Sequence, residues 1–396
     1  MANQVWKFMR ERLSFAYDCM TVKGIYPMQY RKYAKQPVVP NKVILLEPRF
    51  RQTTDSLLQI KRRLEEIGGY DIVEISLGLG LLHLKDQHKN IMPFLREMAT
   101  ARYVFTTDAN KSVGGFTKRP ETTVVQVWHA CGAFKRFGFS SAAKLFGGNQ
   151  RRQEIIKQHN NYDIVTVSSP EVVWAYEEAM GLEGQGIVKP LGVSRTDVFY
   201  DDAFVKAAVD RVHEAVPFSR GKKIILYAPT FRGRVNEAVS PDDLDIRAMR
   251  DALGDEYVLL TKHHPFVKRR PVIPEDCRDF ARDVTEDLEI DQLLCASDVC
   301  ISDYSSLIFE YSLFERPMIF FAPDIENYDD WRGFYYDYDE MTPGPVYQHT
   351  EDVIRYIQNI DSDFDRQIVV SFKKKFMGSC DGHVTDRILR EVGIIQ

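Results

Sequence analysis

From about residue 41 the chain alternates two kinds of apolar pattern. Short runs rich in β-branched and aromatic residues stand at 43–47, 71–77, 103–107, 123–128, 164–167 and 187–191, and runs of this kind read as buried strands. Between them apolar residues recur at steps of three and four, as at 54–67 and 170–180, which predicts amphipathic helices. Ser169 followed by Pro170 marks the start of the second of these: a capping side chain, then proline where no amide is needed. After the polar stretch 219–223 the alternation restarts, with strands expected at 224–227, 257–260, 299–302 and 318–322. Strand and helix in strict turn predict βαβ units and parallel sheets.

The fold class is therefore α/β, as two Rossmann-like, doubly wound parallel-sheet domains. A length of 396 residues suits two cores better than one. The expected division is a basic, aromatic N-terminal segment (1–40), a first domain (41–205) and a second (206–396). Ligands of such sheets lie beyond the carboxyl ends of the strands, and two domains in tandem are expected to face each other across a cleft.

Composition narrows the setting. Hydrophobic residues at 44% and aromatics at 12% suffice for both cores, and the six cysteines form no Cys-x-x-Cys pair. Neither a disulfide framework nor a zinc site is expected, and the chain reads as cytosolic and reduced. No apolar run reaches the length of a spanning helix, and the N-terminus lacks a secretory signal pattern. The net charge of -5 conceals a basic start: residues 1–40 hold seven Lys or Arg against Glu11 and Asp18, interleaved with Trp6, Phe8, Met9, Leu13, Phe15 and several tyrosines. That mixture fits a surface resting on anionic lipid headgroups, and fits equally a terminal helix packed on its own domain with its cations in water. Nucleic acid is not expected as a partner, because the body of the chain is acidic.

Four predicted strand ends carry chemistry. TTVVQVWHACGAFKRFG (122–138) runs from a strand into His129 and then Gly132, Lys135, Arg136 and Gly138; His129 is either a core histidine or a base at the lip of a site. LYAPTFRG (226–233) offers the Thr230 hydroxyl and the planar Arg232 cation, suited to phosphate oxygens. LLTKHHP (259–265) places His263 and His264 on opposite sides of an extended chain, with Pro265 holding His264 extended. VCISDYSSLIFEYSLFERPMIFFAP (299–323) ends a strand at Ser302 and Asp303 and starts a helix around Ser305 and Ser306, with Glu310 a turn later; such a helix start is a ready phosphate site. Lys135 and Lys262 are candidate phosphate contacts.

VWHACGAFKRFG, LGVSRTD (191–197), YAPTFRG, KHHP, SDYSS, ERPMIFF, YDYDEMTPGPV (336–346) and FMGSCDGHVTDRI (376–388) together resemble, in order, the CDP-glycerol glycerophosphotransferase family of teichoic acid synthesis. The resemblance runs from about residue 120 to the end. It implies a GT-B fold and transfer of glycerol phosphate from CDP-glycerol to a hydroxyl of a polyprenyl-diphosphate-linked saccharide, with release of CMP. It also implies His129 as general base, His264 assisting at the donor phosphates, and Arg232, Thr230, Asp303, Ser305, Ser306 and Glu310 around the pyrophosphate and ribose. Many relatives read His-Gly-Thr-Pro where this chain has His129-Ala130-Cys131-Gly132, which leaves Ala130 and Cys131 without a role.

A hydroxyl attacking the β-phosphorus needs a base near neutral pKa, groups that hold anionic oxygens, and a stabilised leaving CMP. No cofactor beyond the donor is expected; no Asp-x-Asp motif stands at a predicted strand end to call for a metal clamp, although Asp303 leaves magnesium open. CDP-ribitol as donor stays open as an alternative, as do a UDP-sugar-dependent transferase or epimerase on the same fold and a non-catalytic membrane scaffold. The expected location is peripheral, on the cytoplasmic face of the cell membrane. No motif implies an oligomeric state.

Overall fold

The run Val43-Ile44-Leu45-Leu46 is buried on alternate sides without a break, the mark of a strand covered on both faces. It lies in β1 (Val39–Glu47). In the computed structural model, which describes residues 2–78, 84–142, 150–233, 237–326 and 333–396, β1 belongs to a six-stranded sheet with β2 (Asp71–Ser76), β3 (Ala101–Thr106), β4 (Thr123–Gln126), β5 (Ile164–Thr166) and β6 (Val188–Lys189). The order is β2-β1-β3-β4-β5-β6, every pairing parallel.

A second six-stranded sheet holds β7 (Lys223–Tyr227), β8 (Tyr257–Thr261), β9 (Ala281–Asp283), β10 (Val299–Ser302), β11 (Met318–Phe321) and β12 (Val346–Tyr347). Its order is β12-β11-β10-β7-β8-β9, again all parallel. Both are doubly wound sheets. The direction of winding reverses between β1 and β3 in the first and between β7 and β10 in the second, and in such sheets the crevice at the reversal receives the ligand.

The core of the first sheet joins Val43, Leu45, Phe105 and Val125 to Leu57, Ile60 and Leu64 of the helix Asp55–Ile67. In the second, Ile225, Leu259, Ile301 and Ile319 pack with Met249 and Val353. The chain divides into two units: one of Met1–Ala130, Phe137–Asp197 and Ser379–Gln396, the other of Cys131–Arg136 and Val198–Gly378.

Three expectations are corrected. The last residues do not stay with the second domain, because Val384, Ile388 and Leu389 of the helix Val384–Glu391 enter the core of the first sheet. The predicted strand 123–128 stops at Gln126, since Trp128 turns left-handed at φ 56, a conformation that cannot continue a strand. Ser169 sits at the start of the Pro170–Val172 turn but makes no capping bond with its side chain.

The N-terminal segment packs within the first unit. Its helix Ala2–Met20 continues through a wide turn, Thr21–Ile25, into Tyr26–Tyr33. Tyr26 and Tyr30 are buried; Tyr30 stacks on Phe116 at 4.2 Å and its hydroxyl accepts from the Arg119 amide at 3.1 Å. The buried Asp18 pairs with Lys111 at 2.6 Å and with Arg152. The opposite side of the first helix exposes Trp6, Met9, Leu13 and Met20; the side chains of Lys7 and Phe8 lie outside the described residues. Among the described residues no helix is long and apolar enough to cross a membrane, and all six cysteines are free thiols.

Candidate active site

In the first unit the candidate site is built at the strand ends next to the winding reversal. Past the end of β4 the Trp128 amide donates to its own strand's Gln126 Oε1 at 3.1 Å, and the left-handed turn brings the Trp128 and His129 rings together at 4.5 Å. His129 Nδ1 lies 2.9 Å from the Thr107 carbonyl, at the end of β3. A carbonyl only accepts, so Nδ1 carries the proton and Nε2 of the neutral ring holds the lone pair. His129 is half-buried, and this is the tautomer a base acting through Nε2 requires.

Behind Trp128, at 6.2 Å between ring centres, lies His159. Its Nδ1 is buried and has no hydrogen-bond partner among the described residues. Burial pushes its pKa down to about 4, with Asp108 acting in the opposite sense.

In the second unit the reversal between β7 and β10 carries a second cluster. Asp303, 1% exposed, accepts from the Thr230 amide at 2.8 Å and from Tyr304 N at 2.6 Å through Oδ1, and from Arg232 at 2.9 Å through Oδ2. Arg232 also forks onto Asp324 at 2.6 and 2.9 Å and lies over the Tyr304 ring at 5.0 Å. Burial alone would lower the pKa of Arg232, but Asp324 and Asp303 outweigh it and raise it. Burial likewise opposes ionisation of Asp324, yet the Arg232 guanidinium holds that carboxyl below its usual range. Lys135 reaches this cluster: its Nζ is 3.5 Å from Thr230 Oγ1, and its backbone bridges Phe334.

His264 is exposed, set between Phe231 at 4.9 Å and Phe266 at 4.5 Å. Its Nδ1 accepts from the Phe266 amide at 3.1 Å, so the neutral ring carries its proton on Nε2, the reverse of His129. Ser305 Oγ accepts from Leu307 N at 3.4 Å, and Ser306 stands at the start of the helix Leu307–Tyr311 without a side-chain cap. Among the described residues no group of three or more His, Cys, Asp or Glu could hold a metal ion.

Residues 36–393 match the model of the CDP-glycerol:poly(glycerophosphate) glycerophosphotransferase family. The chain belongs to this family. It is 34% identical to a teichoic acid ribitol-phosphate primase of Bacillus spizizenii over 93% of this chain and 95% of that relative. A glycerol-phosphate primase of the same organism is 35% identical over 58% of each chain, and a poly(ribitol-phosphate) polymerase is 36% identical over 76% of this chain but 48% of its own. Among solved structures the wall teichoic acid polymerase TagF superposes with a TM-score of 0.74 at 20% identity, over 99% of this chain and 97% of that one. A UDP-N-acetylglucosamine 2-epimerase does so with 0.57 at 12% identity, over 90% of this chain and 96% of that one. These likenesses identify the fold as GT-B-like.

Against the family's motifs, the structure gathers Lys135, Thr230, Arg232 and Asp303, and redirects three expected contacts. Arg232 is not an open cation, since two carboxylates engage its guanidinium. Glu310, expected at a ribose, is buried, with Cys131 Sγ 4.0 Å from its Oε1; Cys131 thereby gains a structural partner. Lys262, expected at a phosphate, donates from Nζ to the carbonyls of Thr285, at 2.9 Å, and Leu288, and burial lowers its pKa. As expected of adjacent residues, His263 turns away from His264: it is buried, with Nδ1 2.7 Å from Ser240 Oγ. Asp324 and Thr107 were missed, although both stand just past strand ends, where the same search applies.

Proposed function

We propose that this chain transfers a polyol phosphate from a CDP-linked polyol to a hydroxyl of a lipid-linked saccharide and releases CMP. The observation that carries the reading is the pair of opposite hydrogen bonds at Nδ1 of His129 and His264, the two histidines of the family's motifs, which select opposite tautomers. His129 Nε2 takes the acceptor proton as the acceptor oxygen bonds to the β-phosphorus. The bond from that phosphorus to the bridging oxygen breaks, and CMP leaves with the electron pair. The Nε2 proton of His264 is set to donate to a phosphoryl oxygen, and Lys135 supplies positive charge beside Thr230. Asp303 and Asp324 hold Arg232 as a strut that joins the loops after β7, β10 and β11.

Glycerol phosphate is the unit implied by the motifs. Ribitol phosphate is the second reading, favoured by one observation: the ribitol-phosphate primase matches this chain nearly end to end. Incubation with CDP-glycerol or CDP-ribitol and a synthetic lipid-linked disaccharide, followed by product masses, reads both donor and number of units. CMP release with neither donor ends the reading, and turnover of a UDP-sugar replaces it.

The exposed Trp6, Met9, Leu13 and Met20, with Arg10 and Arg12 on the same helix, suit a peripheral contact with anionic lipid. Leu13→Glu is expected to lower co-sedimentation with phosphatidylglycerol vesicles while leaving turnover of a soluble acceptor unchanged. Equal sedimentation of the two proteins removes the contact.

A further inference from the structure

Glu47 ends β1 and is 1% exposed. Its carboxylate accepts four hydrogen bonds. Oε1 takes the amides of Arg49 at 3.0 Å and Phe50 at 3.2 Å, and Oε2 takes the hydroxyls of Thr54 at 2.7 Å and Thr107 at 2.8 Å. The Thr107 hydroxyl thus hangs on Glu47 while the carbonyl of the same residue accepts from His129 Nδ1. The next residue is held as firmly: Asp108 pairs with Arg49 at 2.9 Å, and its carbonyl accepts from Gln126 Nε2 at 3.1 Å. Arg49 is itself one of the residues whose amide Glu47 binds, so a single buried carboxylate organises the loops after β1 and β3 that meet at the winding reversal.

We propose that Glu47 is a positioning residue for His129: through Thr107 it fixes the carbonyl that selects the Nδ1-protonated tautomer and aims the ring. The inference rests on the reading of His129 as the base. Free imidazole has no such enforced preference; the protein sets the tautomer by the hydrogen bond the other nitrogen makes. A carbonyl on an untethered loop would wander by tenths of an ångström, and the fraction of rings with Nε2 available would fall with it. A carboxylate with four donors is well suited to prevent this, because hydrogen bonds to a charged acceptor are about twice as strong as neutral ones.

The test uses the full chain with histidine labelled at nitrogen, the His129 signals being assigned by their absence from His129→Gln. Wild type is expected to show Nδ1 protonated and Nε2 bare. Thr107→Val removes the hydroxyl link, keeps the shape and leaves the other three bonds to Glu47. It is expected to give mixed tautomers and a kcat reduced about tenfold, with the donor KM within about twofold. Glu47→Ala is expected to go further in the same direction. Glu47→Gln, in which the threonine hydroxyls can turn to accept from the amide, is expected to recover most of the turnover. Unchanged tautomer in folded Thr107→Val overturns the proposal, and that variant decides alone if Glu47→Ala does not fold. A tautomer shift with unchanged kcat upholds the positioning and removes instead the assignment of His129 as base.

Discussion

His129 and His264 are the same side chain made into different reagents by one backbone atom each. A carbonyl faces Nδ1 of the first and an amide faces Nδ1 of the second. Glutamine separates the two proposed roles, because its side-chain amide mimics a protonated Nε2 but cannot take a proton. His129→Gln and His129→Ala are both expected to lose turnover by about 10²–10⁴-fold, with binding of the CDP-linked donor retained in calorimetry. His264→Ala is expected to fall as well, while His264→Gln recovers about tenfold of that loss. Equal activity of the two His264 variants removes the donor role. Gly132 makes a different demand: it sits at φ +61, and a Cβ there would overlap the Phe309 ring. That ring cannot yield, being stacked on Phe372 at 5.3 Å and edge-on to Phe376 at 5.6 Å. Gly132→Ala is expected to destabilise the chain by about 2–4 kcal/mol, read from urea unfolding.

At the scale of elements, two of the motifs explain one another. Asp197 closes LGVSRTD and caps the final helix, accepting from Val384 N at 3.0 Å and Thr385 N at 2.7 Å. Arg387 of that helix donates to the carbonyls of Leu191 and Ser379. Asp197→Ala is expected to cost about 1–2 kcal/mol and to raise amide exchange over Val384–Glu391 before the rest of the first sheet; uniform exchange would show the cap to be unimportant. Most strands were legible because buried parallel strands are continuous apolar runs, as in β1 and β10. β9 and β12 were not: Ala281-Arg282-Asp283 carries two charges and Val346-Tyr347 stands alone beside a Pro-Gly-Pro turn, whereas the equally short β5 and β6 lie in longer runs rich in β-branched residues. The same limit applies at the site. A strand end with a histidine or serine pair stands out in the sequence, but that Arg232 would meet Asp324, or that Glu47 would govern His129, depends on which strands become neighbours. The return of the last helix to the first unit is equally a long-range matter: nothing local in Val384–Glu391 distinguishes a helix packed on one sheet from a helix packed on the other.

For the whole molecule the sharpest expectation concerns acid. His159 is neutral in the fold because burial depresses its pKa to about 4, whereas an unfolded histidine titrates near 6.5. Above about pH 6.5 neither state binds the proton, so the contribution of His159 to stability is fully present. As pH falls from there toward 4 the unfolded chain takes up a proton that the folded chain refuses, and stability falls by up to about 1.4 kcal/mol per pH unit. His263, whose pKa burial also lowers, acts in the same sense. Carboxyls held low by arginine or lysine, such as Asp324 with Arg232 and Glu74 with Lys61, add their loss only below the ordinary carboxylate range. The histidine window is therefore separable from the carboxylate window. Urea midpoints of wild type and His159→Phe, which keeps an aromatic ring against Trp128 and Tyr162, are expected to run parallel above pH 7 and to diverge between pH 6.5 and 4.5. The phenylalanine variant loses the less stability, by about 2 kcal/mol at the lower end. Parallel curves throughout would mean that His159 accepts its proton without opening the fold.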